Sequence, residues 1–156
     1  MSISVGQKAP DFKLPDTEKN FHSLSDHKGK NVVLLFFPAA FTGNCTKEMC
    51  QTRDELETFN GLNAVVYGIS VDMPFSLAKF KELEKLNFPL LSDFNKEAVN
   101  AYGILLENFA AGLKGVRKRA RCVGDKEGVV RYAEVLATAG EYPDFDGIKN
   151  ALEGLK

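Results

Sequence analysis

The chain has 156 residues, of which 44% are hydrophobic and 26% are charged, and this length and composition predict a single globular domain over residues 1–156. The formal net charge of −1 gives no electrostatic basis for nucleic acid or an anionic membrane as a partner. The longest apolar run is far shorter than the roughly 20 residues that span a bilayer. The N-terminus lacks the apolar core of a secretory signal, so we expect a cytoplasmic protein.

The first part of the chain predicts a hairpin, a buried strand and a helix. The opening region, through about Lys30, is rich in turn-forming residues, and its short apolar pairs predict an N-terminal hairpin against the body of the domain. The unbroken apolar run from Val32 to Phe37 is typical of a central strand covered on both faces. A helix is predicted from about Cys45 to Phe59.

The next segment predicts a second buried strand, from Ala64 to Val71, followed by another helix. Asp72 is the expected N-cap of that helix, because Pro74 lies in its first turn and suits that position. Leu77 and Phe80 are expected to face inward from this helix, and the candidates for the same face are Leu83 and Leu86.

The remaining elements complete a mixed sheet. Phe88 to Asp93 predicts a short extended segment, and Glu97 to Tyr102 predicts a short helix. Arg119 to Gly124 and Val129 to Val135 predict antiparallel strands joined by a turn. A last helix, from about Asp144, places four apolar residues on one stripe: Phe145, Ile148, Leu152 and Leu155. This order predicts an α/β protein with helices on both faces of a mixed central sheet, the thioredoxin-like fold.

Three cysteines, Cys45, Cys50 and Cys122, are the candidate reactive groups. An odd number of cysteines in a chain without a secretory signal argues against a structural disulfide framework and favours catalytic or redox thiols. The two histidines, His22 and His27, are distant in sequence from the cysteines, and neither C-x-x-C nor H-E-x-x-H occurs. A metal site is therefore not expected.

Cys45 lies where the central strand meets the next helix. Functional sites in open α/β sheets collect at the carboxyl ends of the strands. A thiol in a first helical turn lies beside unpaired backbone N–H groups and the positive end of the helix dipole, which favour the thiolate. Thr42 can offer a hydroxyl there, and Pro38 ends the strand and can shield one side of the pocket. A buried structural cysteine is the alternative interpretation, and this context argues against it.

The pattern around Cys45 resembles a known family. Pro38-x-x-x-Thr42-x-x-Cys45 matches the P-x-x-x-T-x-x-C signature of the peroxiredoxins, the AhpC/TSA family. Glu48 and Arg119 match a glutamate in the same helix and an arginine on a later strand of that family. The resemblance covers essentially the whole chain and is closest, in the wording around Cys45, to the bacterial AhpE-like one-cysteine subgroup. It includes three further segments: Gly6 to Phe12, Phe88 to Asp93, and Ala101-Tyr102-Gly103.

The resemblance implies a thiol-dependent peroxidase that reduces hydrogen peroxide and organic hydroperoxides. Cys45 would attack the peroxide and become a sulfenic acid, while Arg119 would stabilise negative charge on the departing oxygen. Thr42 would orient the peroxide, Pro38 would shield the pocket, and Glu48 would position Arg119. The resemblance also implies that no cofactor is needed, that a thiol such as thioredoxin or glutaredoxin is the reductant, and that the chain pairs as a homodimer.

The role of Arg119 depends on its register within a basic cluster that also contains Lys114, Arg117, Lys118 and Arg121. A solvated charged segment is the expected environment for most of these residues. A register shift of two residues would give the catalytic role to Arg117 or Arg121.

Cys50 lies five residues after Cys45, and two roles remain open for it. The AhpE-like subgroup often has no cysteine here, whereas the Q-type, bacterioferritin-comigratory branch carries its resolving cysteine at this spacing. Five residues of helix separate two side chains by about 140° and about 7.5 Å of rise, so an intact helix cannot hold the disulfide. Its first turns would have to unwind. Cys50 falls on the polar face of the helix, which favours a resolving thiol over an incidental one.

Cys122 lies in a predicted strand, and core filler is the favoured interpretation; a second resolving role stays open. Two other functions are also open for the chain. A disulfide reductase of the thioredoxin type is disfavoured because the chain has no C-x-x-C. A redox-sensing or chaperone protein that uses Cys45 as its sensing thiol is the non-enzymatic alternative.

Overall fold

The computed structural model describes residues 3–106, 108–136 and 145–155. The strands are β1 (Lys13–Pro15), β2 (Phe21–Ser23), β3 (Asn31–Phe36), β4 (Ala64–Ser70), β5 (Leu90–Ser92), β6 (Leu105–Leu106), β7 (Val116–Arg117), β8 (Ala120–Gly124) and β9 (Val130–Val135). The α-helices are α1 (Gly43–Asp54), α2 (Leu56–Gly61), α3 (Pro74–Glu84), α4 (Glu97–Ala101) and α5 (Phe145–Glu153). Short 3-10 segments lie at Leu24–His27 and Ala110–Gly112.

A five-stranded sheet forms the centre of the fold, in the order β5-β4-β3-β8-β9. Strand β3 pairs in parallel with β4 and antiparallel with β8, so the sheet is mixed, as predicted. All six residues of β3 are buried. Because side chains alternate along a strand, Leu34 and Phe36 pack on one side of the sheet and Val33 and Leu35 on the other. Apolar cover on both faces explains the unbroken apolar run.

Helices cover both faces of this sheet. On one side the core contains Met49 of α1, Leu77 of α3 and Ile148 of α5. On the other side it contains Val99 of α4 and Leu14 of β1, and β1 forms an antiparallel hairpin with β2. The thioredoxin-like arrangement and the N-terminal hairpin are therefore confirmed. Among the described residues, none of the helices has the length and apolar character that a membrane span needs.

The helix predicted from Cys45 to Phe59 is two helices. Helix α1 begins two residues before Cys45 and ends at Asp54, because Glu55 leaves the helical conformation with φ −107° and ψ 10°. Helix α2 follows at once and keeps Phe59 buried. The helical hydrogen-bond pattern is therefore interrupted at Glu55 while Phe59 stays in the core.

Asp72 does not cap α3, contrary to the sequence prediction. Met73 is the N-cap residue, and Pro74 lies in the first turn as expected. The Asp72 carboxylate instead accepts hydrogen bonds from Ser70 Oγ at 2.7 Å and from the Ala40 backbone N–H at 2.8 Å. It therefore ties the end of β4 to the loop that precedes α1.

The predicted inward-facing residues of α3 and α5 are confirmed in part. Leu83 is 56% exposed, so the apolar stripe of α3 is shorter than predicted, while Leu86 is buried beyond the end of the helix. In α5, Ile148 and Leu152 are buried as predicted. The predicted start near Asp144 lies outside the described residues.

Candidate active site

The loop between β3 and α1 places Cys45 in the first turn of a helix. Pro38 follows the sheet and has no backbone N–H to extend its ladder. Phe41 adopts a left-handed conformation with φ 66°, and Thr42 then returns to extended backbone as the N-cap of α1. The first helical hydrogen bond runs from the Thr46 N–H to the Thr42 carbonyl. Cys45 therefore lies within the turn whose backbone N–H groups lack helical partners.

The Cys45 thiol is buried and bonded to a guanidinium group. Arg119 reaches it from the segment between β7 and β8, with 3.2 Å between Nη2 and Sγ. Both side chains are almost completely inaccessible to solvent. A fixed positive charge at this distance stabilises a thiolate, and buried electrostatic interactions are screened less than exposed ones.

Glu48 holds Arg119 in place from one turn further along α1. Its Oε1 accepts a hydrogen bond from Arg119 Nη1 at 2.8 Å, and its Oε2 lies 3.2 Å from Arg121 Nε. Burial raises the pKa of the Glu48 carboxyl, and the Arg121 and Arg119 charges oppose that rise. Burial also lowers the pKa of Arg119, but the charges of Glu48 and Cys45 outweigh it and leave that pKa raised. The guanidinium group is thus kept charged between the carboxylate and the sulfur.

The expectation that most of the basic cluster is solvated is wrong for its arginines. Arg117, Arg119 and Arg121 are all buried. Arg117 makes a buried ion pair with Asp93, and its guanidinium lies 4.7 Å from the centre of the Phe36 ring. Each arginine is accommodated because a carboxylate on another element meets it, a pairing that local charge patterning does not reveal. Of the three, the structure places Arg119 at Cys45.

Cys45 opens onto a cavity of about 240 Å³ at the start of α1. The Thr42 hydroxyl donates a hydrogen bond to the Ala39 carbonyl at 2.8 Å, which fixes its orientation near the sulfur. Phe109 reaches this cavity from a segment without periodic sequence pattern, so sequence reasoning missed it. The cavity is lined by Pro38, Thr42, Gly43, Asn44, Cys45, Phe109 and Arg119.

Cys50 lies on a different face of α1, towards α3 and away from this cavity. Its thiol is half-buried and donates a hydrogen bond to Glu84 Oε2 at 3.3 Å. Burial and this bond raise the pKa of the Cys50 thiol. Cys45 and Cys50 are free thiols on one continuous helix, so the structure brings together Cys45, Glu48 and Arg119 but not Cys50.

Cys122 lies in the middle of β8 and is completely buried in the core. Burial raises the pKa of its thiol to about 12. The buried, mainly apolar side chains around it suit core filler and disfavour a reactive thiol.

The histidines take part in a separate polar cluster. His22 and His27 both contact the Tyr67 hydroxyl, at 3.1 Å and 2.5 Å, and His22 is also bonded to Asp16. Within the described ranges, no group of three histidine, cysteine, aspartate or glutamate side chains is arranged to hold a metal ion.

The chain is similar to known proteins in both sequence and structure. Residues 5–133 match the model of the AhpC/TSA family. The chain is 41% identical over 130 residues to peroxiredoxin Bcp of Bacillus subtilis, covering 82% of each chain. It is 38% identical over 145 residues to alkyl hydroperoxide reductase E of Mycobacterium tuberculosis, covering 91% of each. The structure resembles that of peroxidoxin BcpB from Mycobacterium tuberculosis, with a TM-score of 0.86, 30% identity and 99% of each chain covered.

Proposed function

This chain belongs to the AhpC/TSA family and is a thiol-dependent peroxidase, a peroxiredoxin, and from that premise we propose that Cys45 is the thiol that attacks the peroxide. Its substrate is a hydroperoxide and its reductant is a thiol. The observation that carries the assignment is the 3.2 Å contact between Arg119 Nη2 and Cys45 Sγ. Cys50 is instead bonded to a carboxylate, and burial and that bond raise its pKa although the Arg53 charge opposes the rise, while burial raises the pKa of Cys122 to about 12.

In the first step, the Cys45 thiolate attacks the terminal oxygen of the hydroperoxide. An S–O bond forms and the O–O bond breaks, so the sulfur loses two electrons and becomes a sulfenic acid. The departing alkoxide or hydroxide takes a proton and leaves as alcohol or water. Arg119 stabilises the charge on that oxygen, and Glu48 keeps the guanidinium in position. Thr42 orients the peroxide, with its hydroxyl oxygen still able to accept a hydrogen bond.

We assign the resolving role to Cys50. The Cys50 thiolate would attack the Cys45 sulfenic acid, forming the S–S bond and releasing hydroxide, which is protonated to water. Because the two cysteines lie on one intact helix, about 140° apart in helical rotation, α1 must open before they can meet. The alternative is a one-cysteine cycle in which an external thiol attacks the sulfenic acid.

Two variants and one oxidation experiment test these assignments. Cys45→Ser is expected to abolish peroxide reduction, because a serine hydroxyl is not ionised at neutral pH. Cys50→Ser is expected to form the sulfenic acid at the parent rate but to accumulate it. Mass spectrometry after one equivalent of peroxide should find a Cys45–Cys50 linked peptide in the parent protein. Near-normal turnover by Cys45→Ser would overturn the first assignment, and a stable sulfenic acid beside a free Cys50 in the parent would overturn the second.

Membership of the family also supports proposals about the reductant, the cellular location and the oligomeric state. We propose thioredoxin or glutaredoxin as the reductant, a cytoplasmic location, and one domain over the whole chain. We also propose a homodimer, supported by Phe41 in the active-site loop, whose large apolar side chain is 54% exposed. Sedimentation analysis of the reduced protein tests the dimer, and a monomer at micromolar concentration would contradict it.

A further inference from the structure

Glu84, the last residue of α3, is bonded twice to α1. Its carboxylate accepts the hydrogen bond from Cys50 Sγ at 3.3 Å. Its backbone carbonyl accepts a second bond, from Arg53 Nη1 at 2.5 Å. Just beyond α3, the Asn87 side-chain amide donates to the Arg53 carbonyl at 3.2 Å. The half of α1 that contains Cys50 is therefore fastened to the end of α3.

These contacts lie where the resolving step needs movement. Cys50 has to leave Glu84 before its sulfur can reach Cys45, and the bond that it gives up is made to an anionic acceptor. Hydrogen bonds with one ionised partner are stronger than neutral ones. By contrast, the Cys45 end of the helix leads into the loop of the peroxide cavity, so Glu84 acts on the resolving half alone.

We propose that Glu84 is a positioning residue that holds Cys50 in α1 as a protonated thiol and thereby sets how fast the Cys45–Cys50 disulfide forms. This inference rests on the proposed role of Cys50 as the resolving thiol. Glu84 touches neither the peroxide nor Cys45, so its effect is confined to the second step. The step itself needs no further oxidant: Cys50 loses its proton, its sulfur bonds to the Cys45 sulfur, and the sulfenic oxygen leaves as water.

The charge of Glu84 makes the restraint on Cys50 depend on pH. The carboxylate accepts a bond from the thiol but repels the thiolate, and burial acts in the same sense, so the pKa of Cys50 is raised. Asp54 also raises that pKa and Arg53 lowers it. The closed helix is therefore stabilised while Cys50 is protonated. That stabilisation is lost as the pH rises through the raised pKa.

The consequence is a longer life for the sulfenic acid at neutral pH. A second peroxide can oxidise a persistent sulfenic acid to the sulfinic acid, which thiols do not reduce. By delaying the attack of Cys50, Glu84 would make the protein more sensitive to excess peroxide than the same protein without this carboxylate.

Glu84→Gln tests this by removing the charge while keeping the shape of the side chain. Glu82→Gln is the matched control, because Glu82 lies on the same helix, is exposed and pairs with Lys79. Each protein receives one equivalent of hydrogen peroxide, is quenched with an alkylating reagent at set times, and is analysed for the disulfide by mass spectrometry. The series is repeated from neutral to alkaline pH.

Glu84→Gln is expected to form the disulfide roughly threefold to tenfold faster at neutral pH, the size expected when a charged hydrogen bond becomes a neutral one. Its rate should level off at a lower pH than in the parent, and sulfinic acid should decrease under excess peroxide. The rate of sulfenic acid formation should not change, which also shows that the variant is folded.

Equal disulfide rates and equal pH profiles in Glu84→Gln, Glu82→Gln and the parent would overturn the role of Glu84 and leave that of Cys50 intact. Absence of the disulfide in the parent would overturn both. A faster rate without a shift in the pH profile would mean that Glu84 only adds helix stability, and it too would contradict the proposal.

Discussion

Helix α1 carries Cys45 and Cys50 in two different environments. Around Cys45, the buried guanidinium of Arg119 is bonded to the sulfur on one side and to the buried carboxylate of Glu48 on the other. Around Cys50, the thiol is half-buried and bonded to one carboxylate at the edge of the neighbouring helix. One environment supplies positive charge to a sulfur and the other supplies negative charge. The same helix thus activates one thiol and restrains the other.

The two environments also differ in how readily they can be taken apart. Removing one partner from a buried ion pair costs about 3–5 kcal/mol, so the arrangement of Glu48, Arg119 and Arg121 behaves as a rigid unit. The single hydrogen bond from the Cys50 thiol, a weak donor, to the Glu84 carboxylate contributes less, about 1.5 kcal/mol. Under the proposed roles, peroxide attack at Cys45 is therefore prepared in advance, whereas resolution by Cys50 waits for a local opening of α1 that weaker contacts permit.

The largest expected effect comes from breaking the rigid side at Arg119. In Arg119→Lys, one ammonium group cannot reach both Cys45 and Glu48 with the geometry of a guanidinium fork. We expect the rate of sulfenic acid formation to fall about 100- to 1,000-fold, the usual loss for one transition-state donor. Stopped-flow measurement with hydrogen peroxide gives this rate. The control is Arg131→Lys, since Arg131 makes a half-exposed pair with Asp125, and it should react like the parent.

A loss in Arg119→Lys no greater than in Arg131→Lys would show that Arg119 does not act on the reacting oxygen. The same measurement on Arg121→Lys distinguishes the registers considered from the sequence. Arg121 meets Glu48 at 3.2 Å, whereas the bond to the sulfur comes from Arg119, so the Arg121 variant should keep most of the rate.

Glu48→Gln is expected to have a smaller effect on rate and a clear effect on stability. The amide oxygen can still accept from Arg119, but two buried guanidinium groups then lack their shared carboxylate. We expect about a tenfold slower first step and a decrease of about 3 kcal/mol in the free energy of unfolding. Urea unfolding and the stopped-flow assay measure the two. Glu82→Gln, at an exposed site, is the control, and equal stability of the two variants would contradict the shared ion pair.

Of the two cysteine environments, sequence patterns predicted only the one around Cys45. The apolar run of β3, the cysteine after it and the match at Arg119 indicate the proposed peroxide site, because each depends on neighbouring residues or on a family signature. The Cys50–Glu84 bond joins residues 34 positions apart, one in α1 and the other at the end of α3. No local pattern encodes that contact, so the restraint on Cys50 was visible only in the structure.

Partners distant in sequence also explain the predictions that failed. The buried state of Arg117 depends on Asp93, 24 residues earlier, although its local sequence is typical of a solvated segment. Asp72 has the residue type and position of an N-cap, yet its carboxylate accepts a hydrogen bond from the Ala40 backbone N–H instead of capping α3. Phe109 lines the peroxide cavity from a segment with no periodicity. In each case the missing information is a partner on another element rather than a property of the residue.

The smallest expected effect is at Cys122, which provides a neutral reference for the other two cysteines. Cys122→Ala removes one buried sulfur atom from β8 and is expected to cost about 1 kcal/mol of unfolding free energy, with sulfenic acid and disulfide formation unchanged. In the native parent, Cys122 should resist alkylation near neutral pH because burial raises its pKa to about 12, whereas the half-buried Cys50 should react slowly. Peptide mapping after timed alkylation measures both. A tenfold loss of peroxidase turnover in Cys122→Ala would instead give Cys122 a part in resolution, and α1 would no longer hold the whole redox cycle.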